Sequence, residues 1–227
     1  MPPNPGNYSL FNKINKVWVL VPSLVSSDST IDYYYDFTQS ILEYTNTFKE
    51  LGLEWQWQPV TRYDYVTIID AIASSNDTTD CFPLILNLCD GDEINETPGI
   101  SVIKYLHEKG LIFTGANELF YSLTTSKIVM KDAFDKANIK TPLWKVIGNI
   151  ATENNKLLEE LGNPLIVKPA ISGGSMGIGI KNIISDVVSM QKLIAELNNG
   201  YKGWNLTSGG LIAEQFIKGP EFTCFAL

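Results

Sequence analysis

Residues 165–180, LIVKPAISGGSMGIGI, and residues 211–227, LIAEQFIKGPEFTCFAL, decide how this chain is read. The first is an apolar strand that ends in Lys168 and runs into a loop with glycines at 173, 174, 177 and 179 and serines at 172 and 175. Glycine enters positive φ at little cost, so consecutive amides of such a loop can turn inward and cradle an anion. A plain β-turn without a ligand would carry the same residues. The loop lacks the GKS or GKT ending of a Walker A segment, is not GxGxxG, and no helix follows it directly. Lys168, set among apolar neighbours and followed by Pro169, can bury its stem and place its ammonium at the end of the sheet. That charge is costly unless an anion answers it. The other reading is a surface lysine on an edge strand. In the second segment, read as a strand carried into the end of the chain, an extended backbone at residues 214–217 could meet an adenine edge. The carboxylate of Glu214 or Glu221 could then accept ribose hydroxyls, although a half-buried strand with exposed glutamates would look alike.

Working outward, residues 1–15 read as a loose arm. Strands are expected at 16–21 (KVWVLV), 53–60 (LEWQWQPV, ended by Pro59), 83–88 (PLILNL) and 111–115 (LIFTG). Helices are expected at 28–51, closed by Gly52, at 64–74, and at 100–108, closed by Gly110. Strands alternating with helices predict a parallel, doubly wound α/β domain over 16–116, whose ligands bind outside the carboxyl ends of the strands. From residue 117 the pattern changes to a mixed α+β domain over 117–213. Thr124 and Thr125 are expected to cap a helix running to Ala137. Beyond it come a strand in TPLWKVI, a helix at 153–161, the strand LIVKP, a strand in IGIKNI, a helix at 186–197, and the last strands. Residues 214–227 read as a hinge.

The 227 residues are 44% hydrophobic and 19% charged, enough apolar content for packed cores and against disorder. A net charge of −8 argues against a general nucleic-acid binder, so an anionic ligand would have to rely on locally placed lysines and backbone amides. No apolar run reaches membrane-spanning length, and the start lacks the core and cleavage site of a signal peptide; a cytoplasmic protein is expected. Cys81, Cys89 and Cys224 have no metal spacing and read as reduced thiols. Sequons at Asn7, Asn76, Asn95 and Asn205 carry no weight without export.

Lys127 stands early in its expected helix, near the positive end of the dipole, where a bound phosphate would rationalise a cation. A solvated lysine is the plainer reading. Asp90, Asp92, Glu93 and Glu96 cluster after a central strand, where paired carboxylates could bind a metal or a substrate amine; against the metal, a solvated acidic turn is the plainer reading. His107, the only histidine, lies within a helix, which speaks against a histidine-based triad.

Six pieces now stand in order: LNLCDG (86–91), PGI (98–100), GLIFTG (110–115), TTSKIVMKDAF (124–134), PLIVKPAISGGSMGIG (164–179) and AEQFIKGPEFT (213–223). Together they resemble the ATP-grasp superfamily, most closely the D-alanine–D-alanine ligases, over residues 83–227. The resemblance implies a pre-ATP-grasp-like domain followed by an ATP-grasp central domain, with the C-terminal lobe mostly missing. It implies ATP as cofactor, with phosphates contacted by Lys127 and Lys168. The loop Gly173, Gly174, Ser175, Met176 and Gly177 would close over them, and Ser175, or else Ser172, would stand near the reacting groups. The adenine hinge maps to Glu214, Gln215, Phe216 and Ile217, and the ribose carboxylate to Glu221. Asp90, Gly91 and Glu93 map to the substrate end. Asp90-Gly91 stands where the family shows His-Gly, and PSLVSSDSTIDYYYDF (22–37) replaces the usual glycine pair and serine/glutamate run. Mg2+ accompanies ATP in the family, but no metal ligands are assigned in this chain.

The implied reaction is carboxylate–amine ligation through an acyl phosphate, with a small carboxylate or amino acid as substrate. A homodimer is compatible with the resemblance; nucleic acid and membrane are not expected partners. The alternative is a nucleotide-binding or interaction module without catalysis. A dinucleotide-dependent enzyme is disfavoured by the missing GxGxxG.

Overall fold

The computed structural model of the chain describes residues 13–24, 36–75, 81–148, 154, 156–173, 175–201 and 203–222. They fall into two compact units, Met1–Ser122 and Leu123–Leu227. The expected strand at 16–21 is β1 (Ile14–Pro22), followed by α1 (Thr38–Leu51), β2 (Trp55–Val60), α2 (Tyr65–Ser74), β3 (Phe82–Asn87), α3 (Ile100–Glu108) and β4 (Ile112–Phe113). The strands form a parallel sheet in the order β2-β1-β3-β4.

Side chains alternate across a strand, so β1 feeds two cores. Val17, Val19 and Val21 pack with Phe48 of α1 and with Trp55 and Trp57 of β2. Leu20 joins Ile85 and, from α2 and α3, Ile69, Ile72, Val102 and Leu106. Burying each such aliphatic side chain contributes about 2 kcal/mol. Helices thus cover both faces, the doubly wound arrangement expected from the alternation of strands and helices.

Two boundaries differ. The helix expected over 28–51 begins at Thr38, because Asp36 accepts the Thr38 amide at 3.0 Å and its hydroxyl at 2.6 Å and so turns the chain into the first helical turn. Residues 28–35 lie outside the described residues. Pro59 does not end β2: it stays in register with Val21, which is permitted because β2 is an edge strand.

The second unit departs further from expectation. α4 (Glu118–Thr125), which begins in the first unit, precedes α5 (Lys127–Lys136), and Ser126 between them is extended, with φ −109° and ψ 124°. Thr124 and Thr125 therefore end one helix and do not cap the next. Asn117 starts α4 by accepting the Phe120 amide at 2.9 Å. β5 (Trp144–Val146), α6 (Leu157–Leu161), β6 (Leu165–Pro169), β7 (Ile183–Ile184), α7 (Val187–Asn198) and β8 (Leu211–Gln215) complete the unit. The sheet is antiparallel throughout, in the order β5-β8-β6-β7. IGIKNI is not a strand: Ile180–Asn182 is a 3-10 turn, and only Ile183 and Ile184 pair. The final strand stops at Gln215 and does not run to the end of the chain; residues 223–227, Cys224 among them, lie outside the described residues.

Candidate functional site

Antiparallel register sets the first element of the site. Ile166 lies opposite Glu214 and Lys168 opposite Ile212, so Lys168 and Glu214 are diagonal neighbours on one face of the sheet. Lys168 Nζ hydrogen-bonds Glu214 Oε2, and Lys131 Nζ reaches Glu214 Oε1 at 2.5 Å from α5. One carboxylate therefore takes two ammonium groups, one on each oxygen.

Lys127 precedes Lys131 by one helical turn and shares its face of α5. Its amide donates to the Ala170 carbonyl at 2.8 Å, which ties the start of the helix to the end of β6. Its ammonium donates to the Ser172 carbonyl at 3.2 Å and hydroxyl at 3.1 Å. Burial and the Lys168 charge hold the Lys127 ammonium below its ordinary value, with Glu214 opposing the shift. At Glu214, burial resists ionisation, but the hydrogen bonds from Lys131 and Lys168 outweigh it and hold the carboxyl below its ordinary value. Three cations around one anion leave a local positive excess in an acidic protein. Such an excess suits an anionic ligand.

The glycine loop is shaped by hydrogen bonds to its own backbone. The Met176 amide donates to Gly173 at 2.9 Å and the Ile178 amide to Ser175 at 3.0 Å. Ser175 and Gly177 have φ of 60° and 72°. Gly177 is needed there, since a Cβ would collide with the Leu206 side chain. Asn182, fully buried, donates to the Val167 carbonyl at 2.9 Å and the Gly177 carbonyl at 3.0 Å, and accepts the Gly179 amide at 2.8 Å. It fastens the loop to β6. The sequence reading missed Asn182 and passed over Lys131, because neither residue type marks a site without its neighbours.

Of the expected residues, the second unit brings together Lys127, Ser172, Lys168 and Glu214. Ser175 and Gly173 are exposed and Met176 is half-buried in the loop; Gly174 lies outside the described residues. Glu214 departs from the plainer alternative of an exposed strand glutamate: its carboxylate is buried against Lys131 and Lys168. Gln215 ends β8, its amide donating to the Leu143 carbonyl at 2.8 Å. Phe216 and Ile217 follow outside the sheet, and Glu221 is exposed and off the strand that was expected to carry it. Two grooves of the unit, about 410 and 490 Å3, are lined by other residues, among them Lys145, Glu160, Gln191 and Leu211. Charge, not concavity, marks the site.

In the first unit, Asp90 is exposed after β3 and Gly91 pairs with Gly99. Glu93 is committed to structure. Its Oε1 accepts the Gly99 amide at 3.2 Å and the Ser101 amide at 2.7 Å, satisfying the start of α3, and Arg62 lies 3.6 Å from Oε2. Asp92 likewise holds the turn, accepting the amides of Ile94 at 3.0 Å and Asn95 at 2.9 Å. The acidic cluster is a folded turn, and among the described residues no group of three or more His, Cys, Asp or Glu side chains could hold a metal ion. His107 is largely exposed and pairs with Glu118 at 3.2 Å. No helix among the described residues is long and apolar enough to cross a membrane.

No family model matches the sequence. A D-alanine–D-alanine ligase of Desulfotalea psychrophila (strain LSv54 / DSM 12343) is 28% identical over 169 residues, which are 74% of this chain and 48% of that protein. The crystal structure of the D-alanine–D-alanine ligase of Bacillus anthracis complexed with ATP superposes with a TM-score of 0.54 at 18% identity, covering 91% of this chain and 58% of that one. The biotin carboxylase domain of the Hydrogenobacter thermophilus 2-oxoglutarate carboxylase, solved with MgADP and bicarbonate, gives a TM-score of 0.58 at 17% identity over 91% of this chain and 45% of its own. The chain thus spans about half the length of the relatives it matches. In sequence the chain is thus similar to D-alanine–D-alanine ligases, and in fold to ATP-grasp enzymes, over part of their length.

Proposed function

We propose that this chain carries the phosphate- and adenine-binding part of an ATP-dependent ligase that joins a carboxylate to an amine. The observation that carries the reading is the pairing of Lys127 and Lys168 around Ser172 and Glu214, beside a glycine loop held by Asn182. Two partly exposed ammonium groups and a serine hydroxyl suit the spread charge of a polyphosphate. Lys127 and Lys168 hold the phosphates, and the loop from Gly173 to Gly177 lies over them with Ser175 at its exposed turn. The backbone of Gln215, Phe216 and Ile217, leaving the sheet at Gln215, receives the adenine; Glu221 takes the ribose. Bound ATP supplies the phosphoryl group that activates a carboxylate towards an amine.

The chain's own part is to position that group and neutralise its charge. Asp90 and Gly91 stand at the substrate end, and Glu93 supports their turn. A homodimer and a cytoplasmic setting belong to the same proposal.

Calorimetric titration with ATP, with and without magnesium, tests it. Saturable binding is expected, weakened tenfold or more in Lys168→Ala, since a charge-assisted hydrogen bond contributes about 1.5–3 kcal/mol. No binding of ATP, or equal binding by the variant, overturns the reading. Phosphate release that requires both a carboxylate and an amine tests the ligase step.

A further inference from the structure

Lys131 stands apart from the other two lysines. Its side chain is 7% exposed, against 27% for Lys168, so its ammonium faces Glu214 and offers little surface to a ligand. A buried lysine needs a partner, and Lys131 has Glu214 Oε1 at 2.5 Å. Its position one turn after Lys127 keeps it on the face of α5 that meets the site, yet beneath it.

We infer that Lys131 is a positioning residue, which by engaging Glu214 Oε1 leaves Lys168 only Oε2 and so keeps the Lys168 ammonium free to serve an incoming phosphate. The physical reason lies in donor counting. A lysine ammonium has three N–H groups, and Lys168 gives one to Glu214. Without Lys131, the carboxylate is free to turn both oxygens onto Lys168, and its whole charge then competes with the phosphate for that ammonium. Lys131 divides the carboxylate. Glu214, one residue before the end of β8, is buried and paired on both oxygens.

The inference rests on the proposed phosphate site, and the two fail in different ways. The full chain is titrated with ATP, with inorganic tripolyphosphate and with adenosine. Lys131→Met is expected to weaken ATP and tripolyphosphate about tenfold and to leave adenosine within twofold. Lys131→Arg, which keeps a cation at Oε1, is expected to restore the parental affinity. A loss shared equally by adenosine, or no loss at all, overturns the inference. The double variant K131M/E214Q, which removes both buried charges, keeps the test readable if K131M alone does not fold. It should bind tripolyphosphate as E214Q does, because Lys131 acts through Glu214; a further tenfold loss overturns the inference. A parent chain that binds tripolyphosphate but not ATP overturns the ATP reading and leaves the Lys131 comparison to stand on tripolyphosphate. A parent that binds neither overturns both.

Discussion

Lys131 Nζ lies 2.5 Å from Glu214 Oε1, and both side chains are less than one-tenth exposed. Removing one partner of such a pair leaves the other charge buried without an answer, which costs about 3 kcal/mol. Glu214→Gln is therefore expected to lower the stability of the second unit by that amount in chemical denaturation. The carboxyl's folded value lies below 4.5, so its stabilisation is complete above that pH and is lost as the pH falls through the lowered value. The parent should weaken with acid over this window, and E214Q should lose that part of the slope. An unchanged acid profile would refute the pairing.

Lys127 gives a dependence at the other end of the pH scale. Its ammonium titrates below the 10.5 ordinary for lysine, because burial and Lys168 disfavour the charge. Keeping it charged costs stability at neutral pH, and the cost is relieved as pH rises through the lowered value. A bound anion favours the charged form, so binding should take up a proton in the alkaline window that opens below 10.5. ATP affinity is expected to fall as pH rises through that window, with proton uptake visible in calorimetry across buffers of different ionisation enthalpy. Lys127→Arg stays charged and should flatten the profile.

Asn182 makes three hydrogen bonds with no exposed surface. Asn182→Ala leaves the Val167 and Gly177 carbonyls and the Gly179 amide without this partner and should cost about 3 kcal/mol. Hydrogen exchange at the Met176 and Ile178 amides should accelerate, since their turn hangs from Gly177. Unchanged exchange would show that the loop holds its shape unaided.

In the first unit, Gly91 and Gly99 approach so closely that a Cβ on Gly99 would meet the Gly91 carbonyl and the Tyr121 hydroxyl. The carbonyl is backbone, and the neighbouring Gly91 amide donates to the Pro98 carbonyl at 3.0 Å, so it cannot move aside cheaply. Gly99→Ala should destabilise the first unit by about 2 kcal/mol, read from its denaturation midpoint. A midpoint equal to the parent's would mean the two strands of the turn can separate.

Much of the frame was legible in residue order. The alternation of apolar runs with helical periods gave the parallel unit, and the three helices α1, α2 and α3 all end where their sequence signals place them, α1 at a left-handed Gly52. An apolar strand ending in lysine asks for an anion, and within the chain Glu214 supplies one to Lys168. The break at Ser126 was not. Thr124 and Thr125 look like caps, but Asn117 starts a helix seven residues earlier than Thr124 and exhausts them as its last turn. IGIKNI reads as a strand in sequence, yet Asn182 closes a turn on Gly179 and Gly177 and ties it to Val167, fifteen residues earlier.

By itself, then, the sequence determined the parallel unit's strands and helices and their order, because periodicity and turn chemistry act within a few residues. The tertiary structure alone decided what Glu214 does. Whether a strand glutamate faces solvent or a lysine depends on which helix covers its face, and α5 stands some eighty residues earlier in the chain. Register completes the decision: Ile166 opposite Glu214 brings Lys168 to its diagonal, and a shift of one residue would turn the carboxylate to the other face.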